Sequence, residues 1–399
     1  MSVKKVLVIN IGWEQEPLIQ LLHERGYELY GITNFSLKKP ILKKHFKKIF
    51  QLDFRDLENI YNIAKELKID AVISDQCDYS HFAQSYVSER LGLKGSSLSQ
   101  AQISINKYVQ RKYAELNGIL VPKFILVFNY GEAISACDEI GFPIIIKPID
   151  NRGSFGVAKV NNLSELKSCY LNALSNSHSR FVLIEQFIDG YEITVDGYCF
   201  DGIPKSLTIA KKSKEGLGSQ VSMDIKYPAE IPDYIYEKAL VNNEFVNTIL
   251  GFTFGMTHSE YMITKTGLIY LIESANRGGG VFTSEIIVPN VCGVNILEKY
   301  IDDVIGIKSK VTCPDQIEKN NVILKFFSFQ PGVIKKISGF NEIKKNKGIL
   351  KAKLNVKVGD QISVISNDGN RHGFIIFKSS EKIRNQVNEI INKIKINYE

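Results

Sequence analysis

The chain opens with the apolar run Val6-Leu7-Val8-Ile9, preceded by two lysines and closed by the turn-like Asn10-Ile11-Gly12. A short apolar run bounded by turn residues predicts a buried strand over residues 3–9. Helical spacing follows from about Glu16 to Arg25, and Gly26 stops it. Tyr27 to Ile32 reads as a second strand, Leu57 to Leu67 as a helix, and Ala71 to Asp75 as a third or fourth strand. Strands alternating with helices imply a parallel sheet with helices on its faces, so the fold class is α/β (α+β). The turn after the first strand lacks GxGxxG, which argues against a dinucleotide site there.

Gly95-Ser96-Ser97-Leu98-Ser99 marks a boundary. A helix carrying Lys107, Arg111 and Lys112 follows and ends near Asn117-Gly118, before the extended Val121-Pro122. Residues 142–270 are strand-rich. From about Asn321 the pattern gives several short strands and a terminal helix from Glu381 to about Ile394. There is no internal repeat and no low-complexity tract.

At 399 residues the chain is long enough for two or three domains. Its 44% hydrophobic and 23% charged residues lie near the globular average, which excludes a disordered or fibrous chain. No apolar run reaches the roughly 18 residues that span a bilayer. The first strand is too short for a signal peptide, so a cytoplasmic location is expected. The net charge of +7 is uneven: Lys308 to Glu399 hold 18 basic and 8 acidic residues. Those lysines are scattered among strand patterns without aromatic stacking motifs, and read as a solvated surface rather than a nucleic-acid interface. The six cysteines show no CxxC spacing and the histidines no HExxH, so neither a disulfide framework nor a zinc site is expected.

Three stretches carry chemistry. In the first, the apolar strand Phe142 to Lys147 delivers one lysine at its end, and Gly153-Ser154-Phe155-Gly156 follows at once. Glycines let backbone N–H groups approach an anion, and the lysine adds a compact charge, so the pair suits a nucleotide phosphate; a plain hairpin turn has the same look. In the second, Glu185 and Glu192 flank the bend through Gln186, Phe187, Ile188 and Asp189. Their carboxylates can accept from an amine or from ribose hydroxyls, or they belong to an ordinary charged connection. In the third, the turn Lys265-Thr266-Gly267 joins two strands and can pair Glu260 with Glu273. Two such carboxylates need a cation, and with the oxygen of Asn276 they suit magnesium shared with phosphates. Arg277 can fork onto a phosphate or carboxylate, and Gly278, Gly279 and Gly280 permit close approach of a substrate. Structural carboxylates balanced by Arg277 and Lys265 are the alternative.

In this order along the chain, the pieces resemble the ATP-grasp superfamily, and the His258-Ser259-Glu260 and Glu273-to-Gly280 runs look closest to its L-amino acid ligase branch, near biotin carboxylase and the carbamoyl phosphate synthetase large chain. The resemblance implies a Rossmann-like pre-ATP-grasp domain over 1–95, an ATP-grasp domain of two subdomains over 96–315 with a lid at about 123–190, and a small β-rich C-terminal domain with a terminal helix over 316–399. It implies that Lys107 and Lys147 reach the ATP phosphates under the 153–156 loop. Gln186 and Ile188 would read the adenine through their backbones, within the hinge from Glu185 through Phe187 to Ile188, and Glu192 would hold the ribose. Glu260, Glu273 and Asn276 would ligate magnesium, with manganese as a substitute, and Arg277 would stabilise the transferred phosphate. The activity implied is an ADP-forming carboxylate–amine ligase acting through an acyl phosphate on small-molecule substrates. A bicarbonate-dependent carboxylase and a non-catalytic nucleotide-binding protein are the alternatives. The glycine loop and the polar stretch Lys211 to Met223 are lid candidates, and Asp75 or Asp78 candidates for the amine pocket. A homodimer is also in keeping with the resemblance.

Overall fold

The computed structural model describes residues 3–34, 43–151, 153–214, 221–343 and 345–399. The first unit is a parallel sheet of β1 (Lys5–Ile9), β2 (Glu28–Thr33), β3 (Phe46–Gln51) and β4 (Ala71–Ile73) in the order β3-β2-β1-β4. The helices α1 (Glu16–Glu24), α2 (Leu57–Leu67) and α3 (Asp78–Leu91) connect or follow these strands. Strand β3 escapes the hydrophobic pattern because its adjacent Lys47 and Lys48 break the alternation, and at the sheet edge it has no fully buried residue. This unit is not self-contained. Val6, Leu18 and Leu22 share one apolar core with Tyr198, Leu297 and Ile301 from later in the chain.

After α4 (Leu98–Ser104), the side chain of Asn106 accepts from the Val109 amide and starts α5 (Lys107–Leu116). Lys107 therefore sits on the first turn of a helix whose start is fixed by a cap. The second sheet is antiparallel and contains β5 (Phe124–Val127), β6 (Ile144–Pro148), β7 (Ala158–Val160) and β8 (Val182–Gln186), ordered β5-β8-β6-β7. Helices α6 (Tyr130–Ile140) and α7 (Leu163–Asn176) bury a separate core of Val127, Ile144, Ile146, Leu166 and Ile184 against it.

The third sheet has eight strands. From the grasp segment come β9 (Gly190–Phe200), β10 (Ile203–Lys214), β11 (Ser222–Tyr227), β12 (Gly255–Thr264) and β13 (Ile269–Ala275). Helix α8 (Asp233–Ile249) packs beneath them, and α9 (Val288–Cys292) and α10 (Ile296–Ile305) lead onward. The terminal segment supplies β14 (Val322–Phe326), β15 (Gly332–Ser338), α11 (Phe340–Ile343), β16 (Ile349–Leu354), β17 (Gln361–Ile362), β18 (Gly373–Lys378), α12 (Glu381–Lys393) and β19 (Lys395–Tyr398). The strand order β13-β12-β9-β10-β11-β14-β18-β16 makes one sheet of the grasp and terminal segments. The seam is the antiparallel pair β11–β14, with Asp224 opposite Lys325 and Tyr227 opposite Val322. A division at residue 315 thus separates chain segments but not sheets. Strands β15, β17 and β19 form a small separate sheet. No helix among the described residues is long and apolar enough to cross a membrane.

Candidate active site

A cavity of about 680 Å³ opens between the three units. Its floor is the face of the large sheet bearing Glu192 and Thr194 of β9, His258, Glu260 and Met262 of β12, and Glu273 and Ala275 of β13. Glu260 lies directly opposite Glu273 in the β12–β13 register. The next pair is Tyr261 with Leu271, so Ile272 is an extra residue on β13 and both Ile272 and Glu273 reach the cavity.

The two carboxylates each meet a lysine from another element. Lys212 of β10 bridges Glu192 (2.7 Å) and Glu260 (2.5 Å). Burial opposes the charge on Lys212, but the two carboxylates outweigh it and raise its pKa. Burial likewise opposes ionisation of Glu260, yet Lys212 and His258 hold it well below the usual range. Lys107 lies 3.0 Å from Glu273 and donates to the Asn151 carbonyl at 2.6 Å. His258 Nδ1 is 2.7 Å from Asp196, whose other oxygen accepts from the Tyr227 hydroxyl at 2.9 Å. Burial would depress His258, but Asp196 and Glu260 push its pKa up to about 9.

Lys147 is buried at the end of β6 and pairs with Glu185 at 2.5 Å; Arg111 holds the other oxygen of Glu185 at 2.8 Å. Glu185 therefore neutralises two buried cations. Burial drives Lys147 down to about 8 against the attraction of Glu185. Gln186, Phe187 and Ile188 line the same end of the cavity. The Gln186 amide, however, already donates to the Lys123 carbonyl at 2.8 Å, so it is not open for adenine in this structure. Glu192 faces the cavity and also meets Lys214 at 3.2 Å.

Four expected residues, Asn276, Arg277, Asp75 and Asp78, are placed differently. Asn276 is not with the carboxylates. Side chains alternate along a strand, so Glu273, Ala275 and Arg277 line the cavity while Ser274 and Asn276 face away. The Asn276 amide nitrogen donates to the carbonyls of Phe254 (2.8 Å) and Met256 (3.1 Å) and so anchors the strand, while its Oδ1 is buried with no partner among the described residues. Arg277 lines the cavity but is committed: Nε and Nη2 grip Asp78 at 2.6 and 2.9 Å, and Nη1 donates to the Gly278 carbonyl at 2.9 Å. It ties the first unit to the grasp. Asp75 does the same through the Gly278 amide at 2.8 Å, and neither acidic residue lines the cavity. A Cβ on Gly278 would lie 2.7 Å from Asp75 Oδ1, and one on Gly279 2.8 Å from His258 Nδ1, whereas Gly280 faces open space.

The loop Gly153 to Gly156 roofs the cavity together with the terminal segment. The Asp368 amide donates to the Gly153 carbonyl at 3.1 Å, and a Cβ on Gly369 would come within 2.8 Å of the Phe155 ring. Gly156 has φ +74°, and a Cβ there would meet Asn176 at 2.9 Å. The other lid candidate, Lys211 to Met223, falls partly outside the described residues, which omit 215–220.

The terminal segment lines the cavity with Leu324, Phe326, Lys353, Asp368 and Arg371, and the first unit adds Trp13. None of these was singled out in the sequence. Trp13 stacks on Phe374 at 5.6 Å, with Lys353 3.8 Å above its ring. Burial, Glu260 and Glu192 push the Asp368 carboxyl up against the pull of Arg371 and Lys212.

A lysine-ended strand, a glycine loop and paired carboxylates on a large antiparallel sheet thus meet around one cavity. The ATP-grasp domain family matches residues 140–285, so that stretch of the chain is similar to an ATP-grasp domain. Its end, residues 325–399, matches the L-amino acid ligase C-terminal domain 2. Over 212 residues the chain is 28% identical to the D-alanine–D-alanine ligase of Azobacteroides pseudotrichonymphae, covering 49% of this chain and 64% of that one. Over 274 residues it is 26% identical to the carbamoyl phosphate synthase large chain of Thermoanaerobacter pseudethanolicus, covering 65% of this chain and 24% of that one. The matches thus span under two thirds of these relatives' lengths. The crystal structure of L-amino acid ligase from Bacillus licheniformis superposes with a TM-score of 0.85 over 100% of both chains at 19% identity, a likeness of fold.

Proposed function

We propose that this chain is an ATP- and magnesium-dependent carboxylate–amine ligase that joins an amino acid or small organic acid to an amine and releases ADP and phosphate. The observation that carries the reading is the cross-strand pair Glu260 and Glu273, flanked by Lys107 and Lys212 under a glycine loop. The nucleotide would enter between the two antiparallel sheets, its base toward Gln186, Phe187 and Ile188 and its phosphates toward Lys107, Lys147 and the 153–156 loop.

The carboxylates fit magnesium, which commonly takes one or two protein carboxylates and completes its shell with phosphate oxygens and water. Glu260 and Glu273 alone would leave most of such a shell to phosphate oxygens and water. Glu260 and Glu273 would hold it, exchanging their lysines for it, and its charge would offset that of the phosphates. Lys107 and Lys212, released from those carboxylates, gain anionic oxygens to neutralise. A substrate carboxylate oxygen attacks the γ-phosphorus as the bond to ADP breaks. The amine nitrogen then attacks the acyl carbon, loses a proton, and phosphate leaves. Positioning and charge do this work without a covalent nucleophile on the protein. The acyl phosphate hydrolyses if water enters, and Phe155 seated on Gly369 closes the roof over it.

The test is phosphate release from ATP and magnesium across amino acids singly and in pairs, with bicarbonate as a separate arm. Release with amide formation that requires a carboxylate and an amine supports the ligase. Release driven by bicarbonate alone replaces it with a carboxylase.

A further inference from the structure

Two carboxyl groups that the mechanism does not use face each other across the seam between the first unit and the cavity wall. Asp75, just after β4, is 1% exposed. Its Oδ1 accepts from the Gly278 amide at 2.8 Å, and its Oδ2 is buried with no partner among the described residues. Glu285 lies in the single helical turn Thr283–Ile287. Its Oε1 accepts from the Gln76 side chain, and its Oε2 is likewise buried and unmet among the described residues. The two carboxyl groups are within hydrogen-bonding reach of each other. Ionised together, they would repel in a desolvated place and leave two oxygens unmet. Arg277 does not relieve them directly, because its nitrogens are on Asp78 and Gly278.

The chain between their two anchor points is part of the cavity wall, through Gly280, Val281 and Thr283. Val281 and Phe282 have φ of +56° and +60°, a strained conformation for a β-branched and an aromatic residue. Asp75 fastens this turn at Gly278, and Gln76 Oε1 fastens it at the Phe282 amide at 3.2 Å. We propose that Glu285 donates a retained proton to the Asp75 carboxylate, and that this shared proton clamps the strained Val281-Phe282 turn to the first unit. The clamp rests on packing and does not depend on the ligase reading. Burial, and then the charge of Asp75, push the Glu285 carboxyl well up; burial pushes Asp75 up against the pull of the Gln76 and Gly278 amides. Asp75 and Glu285 are thus positioning residues for the wall. Such a group stabilises the fold fully below the ordinary carboxyl range, and the stabilisation is lost as pH rises until the proton leaves.

The other ionisable groups packed around the pair are Arg277 with Asp78, Cys77 and His81 at the start of α3, Glu14, whose carbonyl accepts from Gln76 at 3.0 Å, and Tyr300 of α10, whose hydroxyl donates to the Ser74 carbonyl at 3.0 Å. Burial takes His81 down to about 4 and pushes Tyr300 up, so neither changes charge across the neutral range.

The test needs no substrate. Trp13 is the single tryptophan, and its ring meets that of Phe282 edge-on at 5.3 Å, so its emission reports the turn. The native chain, Glu285→Gln and Asp75→Asn are compared across the range from acid to alkaline pH by urea unfolding, Trp13 emission and the infrared carboxyl band. Each variant keeps the bridging hydrogen bond on an amide that does not titrate. Relative to either variant, the unfolding equilibrium constant of the native chain rises about tenfold per pH unit until the pair ionises. Trp13 emission then shifts in the native chain and stays flat in the variants. Lys353, over the same ring, affects all three chains alike. At neutral pH the native chain shows a protonated-carboxyl band that both variants lack. A pH slope shared by all three chains overturns the proposal, and so does a protonated-carboxyl band of equal size in each. Variants destabilised equally at every pH also overturn it, because that marks an ionised pair with a structural role only. Should one variant not fold, the other, with the native infrared band, decides.

Discussion

Glu260 and Glu273 stand opposite each other across β12 and β13, yet neither is left with only the other: Lys212 holds the first and Lys107 the second. Removing one carboxylate therefore frees a buried cation as well as a metal oxygen. Glu273→Gln is expected to lower magnesium-dependent turnover by about 10²-fold or more, the scale seen when a group that stabilises developing charge is removed. Far-UV circular dichroism should be unchanged. Turnover near the native rate would remove Glu273 from the metal site.

Nucleotide affinity should fall in alkaline solution through Lys147. Its pKa in the free protein is lowered to about 8 by burial. The protonated form attracts phosphate, so the attraction is complete below that pH and is lost as pH rises through it; bound phosphate would in turn raise the pKa. The Kd for ATP, measured from pH 6.5 to 9.5, is expected to rise above pH 8. Lys147→Met should weaken binding throughout and flatten the profile. An equally steep profile in that variant would show that another group titrates.

Asn276 offers a contrast between a ligand and an anchor. Asn276→Ala deletes donors to two carbonyls beside β12 and is expected to cost about 1–3 kcal/mol of stability in a urea melt. The magnesium concentration for half-maximal turnover should be unchanged. A large rise in that concentration would return Asn276 to the metal shell.

The roof should leak when its seat is filled. A side chain at Gly369 meets the Phe155 ring, so Gly369→Val is expected to hold the glycine loop away from the terminal segment. The ratio of amide formed to phosphate released should fall several-fold, as water takes the acyl phosphate, while the thermal melt shifts little. A ratio that stays at the native value would assign closure elsewhere.

What could be read from the chain was local. Lys147 with its loop, and Glu260 with Glu273 across a three-residue turn, depend on neighbours within about 15 residues, so alternation and turn chemistry were enough. Asn276, three residues after Glu273 on a strand, falls on the opposite face. The true partners of Glu185, the cations Arg111 and Lys147, come from separate elements and leave no local signal in the sequence. Arg371 and Asp368 sit in an unremarkable turn about 100 residues beyond the carboxylates they face. Only the pairing of β11 with β14 carries them there. Trp13 likewise arrives through the core shared by the first unit and α10.

That seam also bears on how the protein is made. Strands β11 and β14 are neighbours in space but nearly 100 residues apart in sequence. As the chain leaves the ribosome, β11 emerges with one side of its ladder unpaired, and exposed edges recruit other chains. It stays so until α8, β12, β13 and the helices after them have been synthesised, and closing so long a loop is slow. The sheet that bears the carboxylates is thus finished only when the last strands arrive. A chain cut at 315 would present a permanent sticky edge and is expected to aggregate, not to survive as a smaller ATP-binding domain.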